Sequence, residues 1–472
     1  MVVDTTMIHD PAGAYSSLSV VDAWRAMTHL DPPAPGVSQT IQCRGLDNAL
    51  EIAEQGIFDR GAGDRRIVPS AGAIFPYSLL ALVESKSPGA PLREWSLFRL
   101  GDSAEQLRRI AIPSDQLTTL AQELNTESPS DSICHLILVQ RPWLSMRKYG
   151  PRGYLYASLD AAHASVSLLG TALSHGRESF IQLASASRIV RNFVSSNFPY
   201  HEFHSAVSFR TSHLFDEPGS FRLEYPRTVR DCRGDYEKIP WENIVEPLMG
   251  TTSRGAITPK RLVEVAACPK NPGLMSVWTD LSRRRHSARS FTGEPIPGES
   301  LGDLLAVMAT ALPVDIPNSM QEHPLVSVSL LLVDKTSCEL DVPSVRTQFV
   351  PDGTGTEHFV RACMGQRHVG AAKAFLLFHA NTNQLLGTGG DGHNIREALF
   401  RSGAAAHLAY LGAAQNHLGI FTIGGFVQTI WKDLAALPAT EELLCLMAIG
   451  VEQSETRTRA DRELRADAHG EA

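Results

Sequence analysis

An α+β fold built from two copies of one unit is the architecture this sequence predicts, and three observations carry it. The chain has 472 residues, too many for one ordinary core. Each half contains strand-like apolar runs and then one long, alanine-rich, charge-poor helical stretch, Tyr154–Ala172 and Ile395–Leu418. Between the halves, residues 217–272 shift towards proline, glycine and charge, with Pro218-Gly219, Pro226, Arg230 to Asp235 and Pro240, which reads as a linker or surface crossing.

Taken in order, residues 1–40 are polar and proline-bearing (Asp31-Pro32-Pro33-Ala34-Pro35), an arm with one short helix near Ser19 to Leu30. The first half, 41–216, opens with a helical pattern from about 44 to 56 (Leu46, Ala49, Leu50, Ile52, Ala53). Pro69-Ser70-Ala71-Gly72-Ala73 followed by the apolar run Ser78 to Val83 reads as a loop entering a strand. Trp95 to Leu100 and Ser132 to Val139 are further strands, and the Tyr154–Ala172 helix should be buried. The second half, 273–451, has a helix near Met275 to Leu281, an amphipathic helix at Leu301 to Ala311, and strands at Val326 to Val333 and Ala374 to His379. Its long helix leads to Gly419-Ile420-Phe421-Thr422-Ile423-Gly424-Gly425-Phe426. Residues 452–472 are charged and aperiodic, a disordered tail.

Hydrophobic content of 43% with 20% charged residues fits a globular protein, and no run of about eighteen apolar residues predicts a membrane span. The first ten residues lack the basic and apolar regions of a secretory signal. Seven cysteines are scattered and never spaced as CxxC, which points to a reducing, cytoplasmic setting without a disulfide framework or structural zinc. A net charge of −8 and a pI near 6.1 disfavour a nucleic-acid surface.

Against that acidic background one basic stretch stands out, Arg283-Arg284-Arg285-His286-Ser287-Ala288-Arg289-Ser290-Phe291. Arg285 and Arg289 with Ser287 between them can offer forked donors and a hydroxyl to one phosphate. Alone, the stretch is an ordinary solvated surface. The same holds for the other candidates. The Pro69–Ala73 loop permits close approach to a flat ligand, yet alone is a turn. Gly424-Gly425 can present an amide, yet alone is a helix cap and turn. Met146 to Tyr154 interleaves cations with aromatics, yet alone is an exposed turn with a cation–π contact. Gly387-Thr388-Gly389-Gly390-Asp391-Gly392 fits neither a P-loop nor GxGxxG and reads as a flexible loop. His163 and His407 lie on the two buried helices without an acidic or histidine partner at i+4, so they read as satisfied core histidines, and no metal site is expected.

Together these stretches resemble a known family. Arg285-His286-Ser287-Ala288-Arg289-Ser290-Phe291 with Pro295 is similar to the N-terminal signature of the FMN-dependent nitroreductase superfamily. Pro69-Ser70-Ala71-Gly72-Ala73 with Pro76 resembles its central loop as found in the SagB/McbC-type dehydrogenases. Lys148-Tyr149-Gly150-Pro151-Arg152-Gly153-Tyr154 is similar to that branch's Lys-Tyr motif, and Gly424-Gly425-Phe426 to its glycine pair. The resemblance covers about 45–215 and 275–451. It implies a nitroreductase-like fold, which in this superfamily forms homodimers with FMN sites across the interface.

The motifs are divided between the halves. The first half has the Pro-Ser-Ala-Gly loop and the Lys-Tyr motif but no Arg-x-Ser-x-Arg start, and Arg177-Glu178-Ser179-Phe180 stands where glycines would follow its helix. The second half has the arginine start and Gly424-Gly425 but neither of the other two. A fused pseudo-dimer with one composite FMN site is therefore expected. The resemblance implies that Arg285, His286, Ser287 and Arg289 serve the phosphate end. It places Pro69, Ser70, Ala71 and Gly72 against the isoalloxazine and the Gly424-Gly425 amide towards N5.

It makes Lys148 and Tyr149 the catalytic pair of an azoline dehydrogenase that oxidises thiazolines or oxazolines in a ribosomally made peptide. Dioxygen is then the acceptor, and the substrate peptide or carrier and a cyclodehydratase complex are the partners. A lysine serves as a base only where burial or nearby cations lower its pKa, and Arg147 and Arg152 flank the pair. Two features depart from the pattern: after the last strand Ala448-Ile449-Gly450-Val451 runs into an acidic-polar tail that offers only Arg457 and Arg459 as weak candidates for the further basic residue, and no N-terminal peptide-clamp domain is evident. An NAD(P)H-dependent nitro or quinone reductase and a degenerate flavin-fold scaffold subunit are the competing readings.

Overall fold

Apolar runs become strands and the two alanine-rich runs become the longest helices. The computed structural model describes residues 38–58, 66–86, 94–101, 107–124, 133–183, 188–198, 201–211, 219–224, 271–315, 325–333, 345–386 and 393–453. The first half contributes β1 (Ser38–Arg44), α1 (Leu46–Gly56), β2 (Tyr77–Lys86), β3 (Glu94–Leu100), β4 (Arg108–Ile110), α2 (Ser114–Leu124) and β5 (Ile133–Gln140). It continues with α3 (Pro142–Tyr149), α4 (Gly153–Ser174), β6 (Ser179–Leu183), α5 (Arg188–Asn197), β7 (Glu202–Arg210) and β8 (Gly219–Glu224). The second half contributes α6 (Pro272–Arg284), α7 (Gly298–Met308), β9 (Val314–Asp315), β10 (Ser327–Leu332), β11 (Val345–Phe349), α8 (Thr356–Ala362) and β12 (Ala374–Asn381). After these come α9 (Thr382–Leu386), α10 (His393–Gln415), β13 (Gly419–Thr422), α11 (Gln428–Leu434) and β14 (Glu441–Gly450).

The strands form two sheets. One runs β4-β3-β2-β5-β7-β6-β9, with β1 beside β2 and β8 beside β1; the other runs β11-β10-β12-β14-β13. Their centres, β2-β5-β7-β6 and β10-β12-β14-β13, have the same chain order and are antiparallel throughout. They even share a register shift. In the first sheet it falls between Leu138 and Val139, which face Ser205 and Phe203. In the second it falls between Phe378 and His379, which face Cys445 and Leu443. The sheets differ at their edges: β3 is antiparallel to β2 but β11 is parallel to β10, and β6 has β9 beside it while β13 ends its sheet. β5 is buried along its whole length, as a strand covered on both faces must be, and β12 matches it except at its last residue.

The halves share a core. α4 and α10 pack on each other, with Gly403 of α10 against Leu159 and Ala162 of α4. One apolar cluster unites Ala161, Ala164 and Leu168 with Trp278, Phe400 and Leu408, and β9 joins the first half's sheet beside β6. Burying surface of this kind stabilises by roughly 25 cal/mol per Å² of apolar area.

Several sequence-based expectations need correcting. The crossing at 217–272 contains β8, which pairs with β1, and its end is the first turn of α6; residues 225–270 lie outside the described residues. The short helix near Ser19, the Gly387–Gly392 loop and most of the tail also lie outside them. Glu452 and Gln453, assigned to the tail, are held by the 286–291 segment. The second long helix ends at Gln415 rather than Leu418, because Leu418 already leads into β13. Arg177 to Phe180 is not the counterpart of the glycine pair: Phe180 faces Ser208 as Phe421 faces Ala448, so Gly424 corresponds to Leu183.

Candidate functional site

Gly150, at φ 60, closes α3 and feeds a 3-10 turn at Gly150–Arg152 from which α4 starts. Lys148 and Tyr149 therefore sit on the last helical turn of α3, not in a loop. The Pro69–Ala73 loop is a tight turn before β2, with positive φ at Gly72 (63°), Ala73 (55°) and Phe75 (48°). Such backbone is uncommon for residues other than glycine and needs outside support. Asp160 on α4 provides it. Its Oδ2 accepts from the Ser70 hydroxyl (2.6 Å), and its two carboxylate oxygens accept from the Ala71 amide (3.2 and 3.1 Å). Ser70 Oγ in turn accepts from the Phe75 amide (2.9 Å). At Gly72, a methyl group in place of hydrogen would collide with Lys148 Nζ and Tyr149 Oη, so both side-chain tips converge on the turn.

These groups border a cavity of about 960 Å³ to which both halves contribute. The first half supplies Pro69 to Gly72, Lys148 to Arg152, Tyr156, Asp160 and His163; the second supplies Ser287, Met364, Gln366, Tyr410 and Phe421 to Phe426. Tyr156 donates to the Gly424 carbonyl, and Gln366 Nε2 donates to the Gly425 carbonyl at 2.7 Å. The glycine pair follows β13 and not a helix end, and the space a Cβ would take at Gly424 is open. Lys148 Nζ lies 5.3 Å from the Tyr149 ring centre, and the Arg152 guanidinium 4.1 Å from that of Phe426.

The arginine stretch divides. Ser287 lines the cavity and is 3.1 Å from the Tyr410 hydroxyl, which also accepts from the Thr422 amide (3.1 Å). Arg285 is buried behind it, its guanidinium over the Tyr410 ring and its Nε donating to the Ile67 carbonyl at 2.6 Å. His286 turns to Glu452 (2.6 Å), a hydrogen bond that raises its pKa against the opposing effect of burial. Arg283, Arg284 and Arg289 are exposed, and none of Arg285, His286 and Arg289 lines the cavity.

Asp160, Tyr156, Gln366 and Tyr410 were not singled out in the sequence. For Asp160 a signal existed: it is the sole acidic residue of α4, which has no lysine or arginine. Burial pushes its carboxyl from the ordinary 3.8 up to about 7, against the lowering effect of Ser70 and Ala71. The two histidines are not satisfied core residues. Both ring nitrogens of His407 and Nδ1 of His163 are buried without a partner among the described residues, with the rings 5.6 Å apart. Burial lowers both, His163 to about 3. Among the described residues no group of histidine, cysteine and acidic side chains could hold a metal ion, and no helix is long and apolar enough to cross a membrane.

Residues 282–451 match the family model described as the Nitroreductase family. A protein from Anabaena variabilis, provisionally designated a nitroreductase, superposes with a TM-score of 0.60 at 15% identity, covering 94% of this chain and 99% of that one. The chain thus has a nitroreductase-like α+β fold, and the likeness to that structure covers more of it than the family-matched residues. Nitroreductase A from Vibrio parahaemolyticus matches at 22% identity over 37% of this chain and 67% of its own, with a TM-score of 0.28. An NADPH:FMN oxidoreductase from Vibrio harveyi, complexed with NAD+, matches at 20% identity over 37% and 68%, with a TM-score of 0.26. No curated protein matches the chain.

Proposed function

We propose that the chain is an FMN-dependent oxidoreductase whose halves form an intramolecular pseudo-dimer around one composite site. In this reading it oxidises thiazoline or oxazoline rings to azoles in a ribosomally made peptide or a related carrier-bound substrate. The observation that carries it is a cavity walled by both halves, set beside two sheets whose four central strands share one order and one register shift. The counterpart positions do not repeat its residues. Counted back from the helix ends at Ser174 and Gln415, Asp160 corresponds to Arg401, and Gly424 corresponds to Leu183.

The residues present fit a flavin. The volume suits a cofactor-sized ligand, most of the lining is apolar with a few convergent polar groups, and the open side of Gly424 leaves room for close approach. Ser287, with the buried Arg285 charge behind it, would serve the phosphate end, and the Ser70–Gly72 turn and Gly424-Gly425 would contact the ring system; Arg289 stays outside the cavity lining. FMN bound there supplies a two-electron acceptor. Lys148 is the candidate base for the proton on the ring carbon derived from Cα, with Tyr149 beside it. Its ammonium group is exposed at the cavity, where a substrate entering over Gly72 would cover it.

The test is the visible spectrum and flavin stoichiometry of the purified protein, with variants. One FMN per chain is expected. Arg285→Ala should lose FMN, while Lys148→Ala keeps it but loses azoline oxidation. Two equivalent FMN per chain would overturn the composite site, and full turnover by Lys148→Ala would remove the dehydrogenase assignment.

A further inference from the structure

We infer that Asp160 is a positioning residue whose carboxylate holds the Ser70–Gly72 turn against the Lys148 and Tyr149 side chains. The contact stands on geometry alone; its consequence for turnover rests on the function proposed above. An aspartate only 4% exposed within a helix that has no other acidic residue and no lysine or arginine is an unfavourable placement unless its oxygens are used. They are used on a segment ninety residues earlier.

The pattern of bonds fits the strain it opposes. The carboxylate accepts from Ser70 and Ala71 on the entry side of the turn, and Ser70 Oγ passes the hold to Phe75 on the exit side. Between them lie the positive-φ residues Gly72 and Ala73, and the exit residue Phe75 is itself at positive φ. The most tightly approached point, Gly72, is where Lys148 Nζ and Tyr149 Oη meet the backbone. Release of the carboxylate would free the turn at both ends and with it the surface that these two side chains rest on. The second half has no such hold at the corresponding place, because Arg401 stands there and pairs with Glu397 on its own helix.

The experiment is amide hydrogen exchange on the full chain without flavin or substrate, followed by kinetics on the flavin-loaded chain. In Asp160→Ala the Ala71 amide should exchange about tenfold faster, while amides in the middle of α4 keep their rates. Asp160→Asn, which keeps one acceptor oxygen, should fall between. Ser70→Ala should speed exchange at Phe75 but spare Ala71, and it keeps the test open should Asp160→Ala not fold. In turnover the loss should appear in kcat with KM little changed, and Asp160→Asn should restore part of it. An unchanged Ala71 rate in folded Asp160→Ala, or acceleration shared equally along α4, overturns the inference. Faster exchange at Ala71 in a protein that takes up no FMN leaves the hold intact and removes the flavin reading instead.

Discussion

A carboxyl buried within hydrogen-bonding reach of a hydroxyl and an amide is pulled in two directions. At Asp160 burial wins, and the group is raised from 3.8 to about 7. Between those values the folded chain keeps a proton that the unfolded chain has released, so stability falls as pH rises from about 4 to about 7. A shift of this size corresponds to on the order of 4 kcal/mol across the window. Urea unfolding at about pH 5 and about pH 7.5 should show that decline, and Asp160→Asn should flatten it. His163, one turn along α4, and the Cys445 thiol on β14 are the titratable neighbours, and both are held neutral by burial across this range. The opposite sign holds at His286. Its pairing with Glu452 raises its pKa, so the contact stabilises below the ordinary histidine value and is lost as pH rises through the raised one.

At the scale of elements, the contact of α6 with α4 has little slack. A methyl group at Gly170 would run into the ring of Trp278, which is fully buried and cannot swing aside. Gly170→Ala should therefore destabilise by roughly 1–3 kcal/mol, read as a lowered thermal midpoint, although alanine is the better helix former. The two long helices were legible because a long alanine-rich run with few charges has nowhere to go but the interior. The Leu46–Gly56 helix and strands β2, β3, β5, β10 and β12 were legible from their apolar patterns. What escaped were short elements whose pattern is set by neighbours. α5 and α11 pack only one face, and β6 and β7 become strands through pairing with each other. The loop, the Lys-Tyr pair, Ser287 and the glycine pair meet at one cavity. Asp160 was marked only as a lone acid on a buried helix, and its role could not be read because its partners are ninety residues away. His286 and Arg289 sit within the same motif as Ser287, yet spacing along a chain does not say which side chains turn inward.

For the whole molecule, the seam between the halves is the organising feature. Tyr154, Gln140 and Arg396 converge on the buried Glu202, so first-half and second-half side chains share one acceptor beside the helix pair. Two chains held together in this way would separate on dilution, but here both walls of the cavity belong to one covalent chain. Each half meets the other at a local concentration fixed by the connection and not by the amount of protein present. The site should thus be insensitive to dilution. At constant free flavin, the bound fraction should stay the same over about a thousandfold range of protein concentration, measured by fluorescence of the flavin. Walls that belong to different stretches of one chain can also change independently, since a substitution in one half is not copied into the other. That liberty is visible where an aspartate supports a turn in one half and an arginine at the same place in the other braces only its own helix.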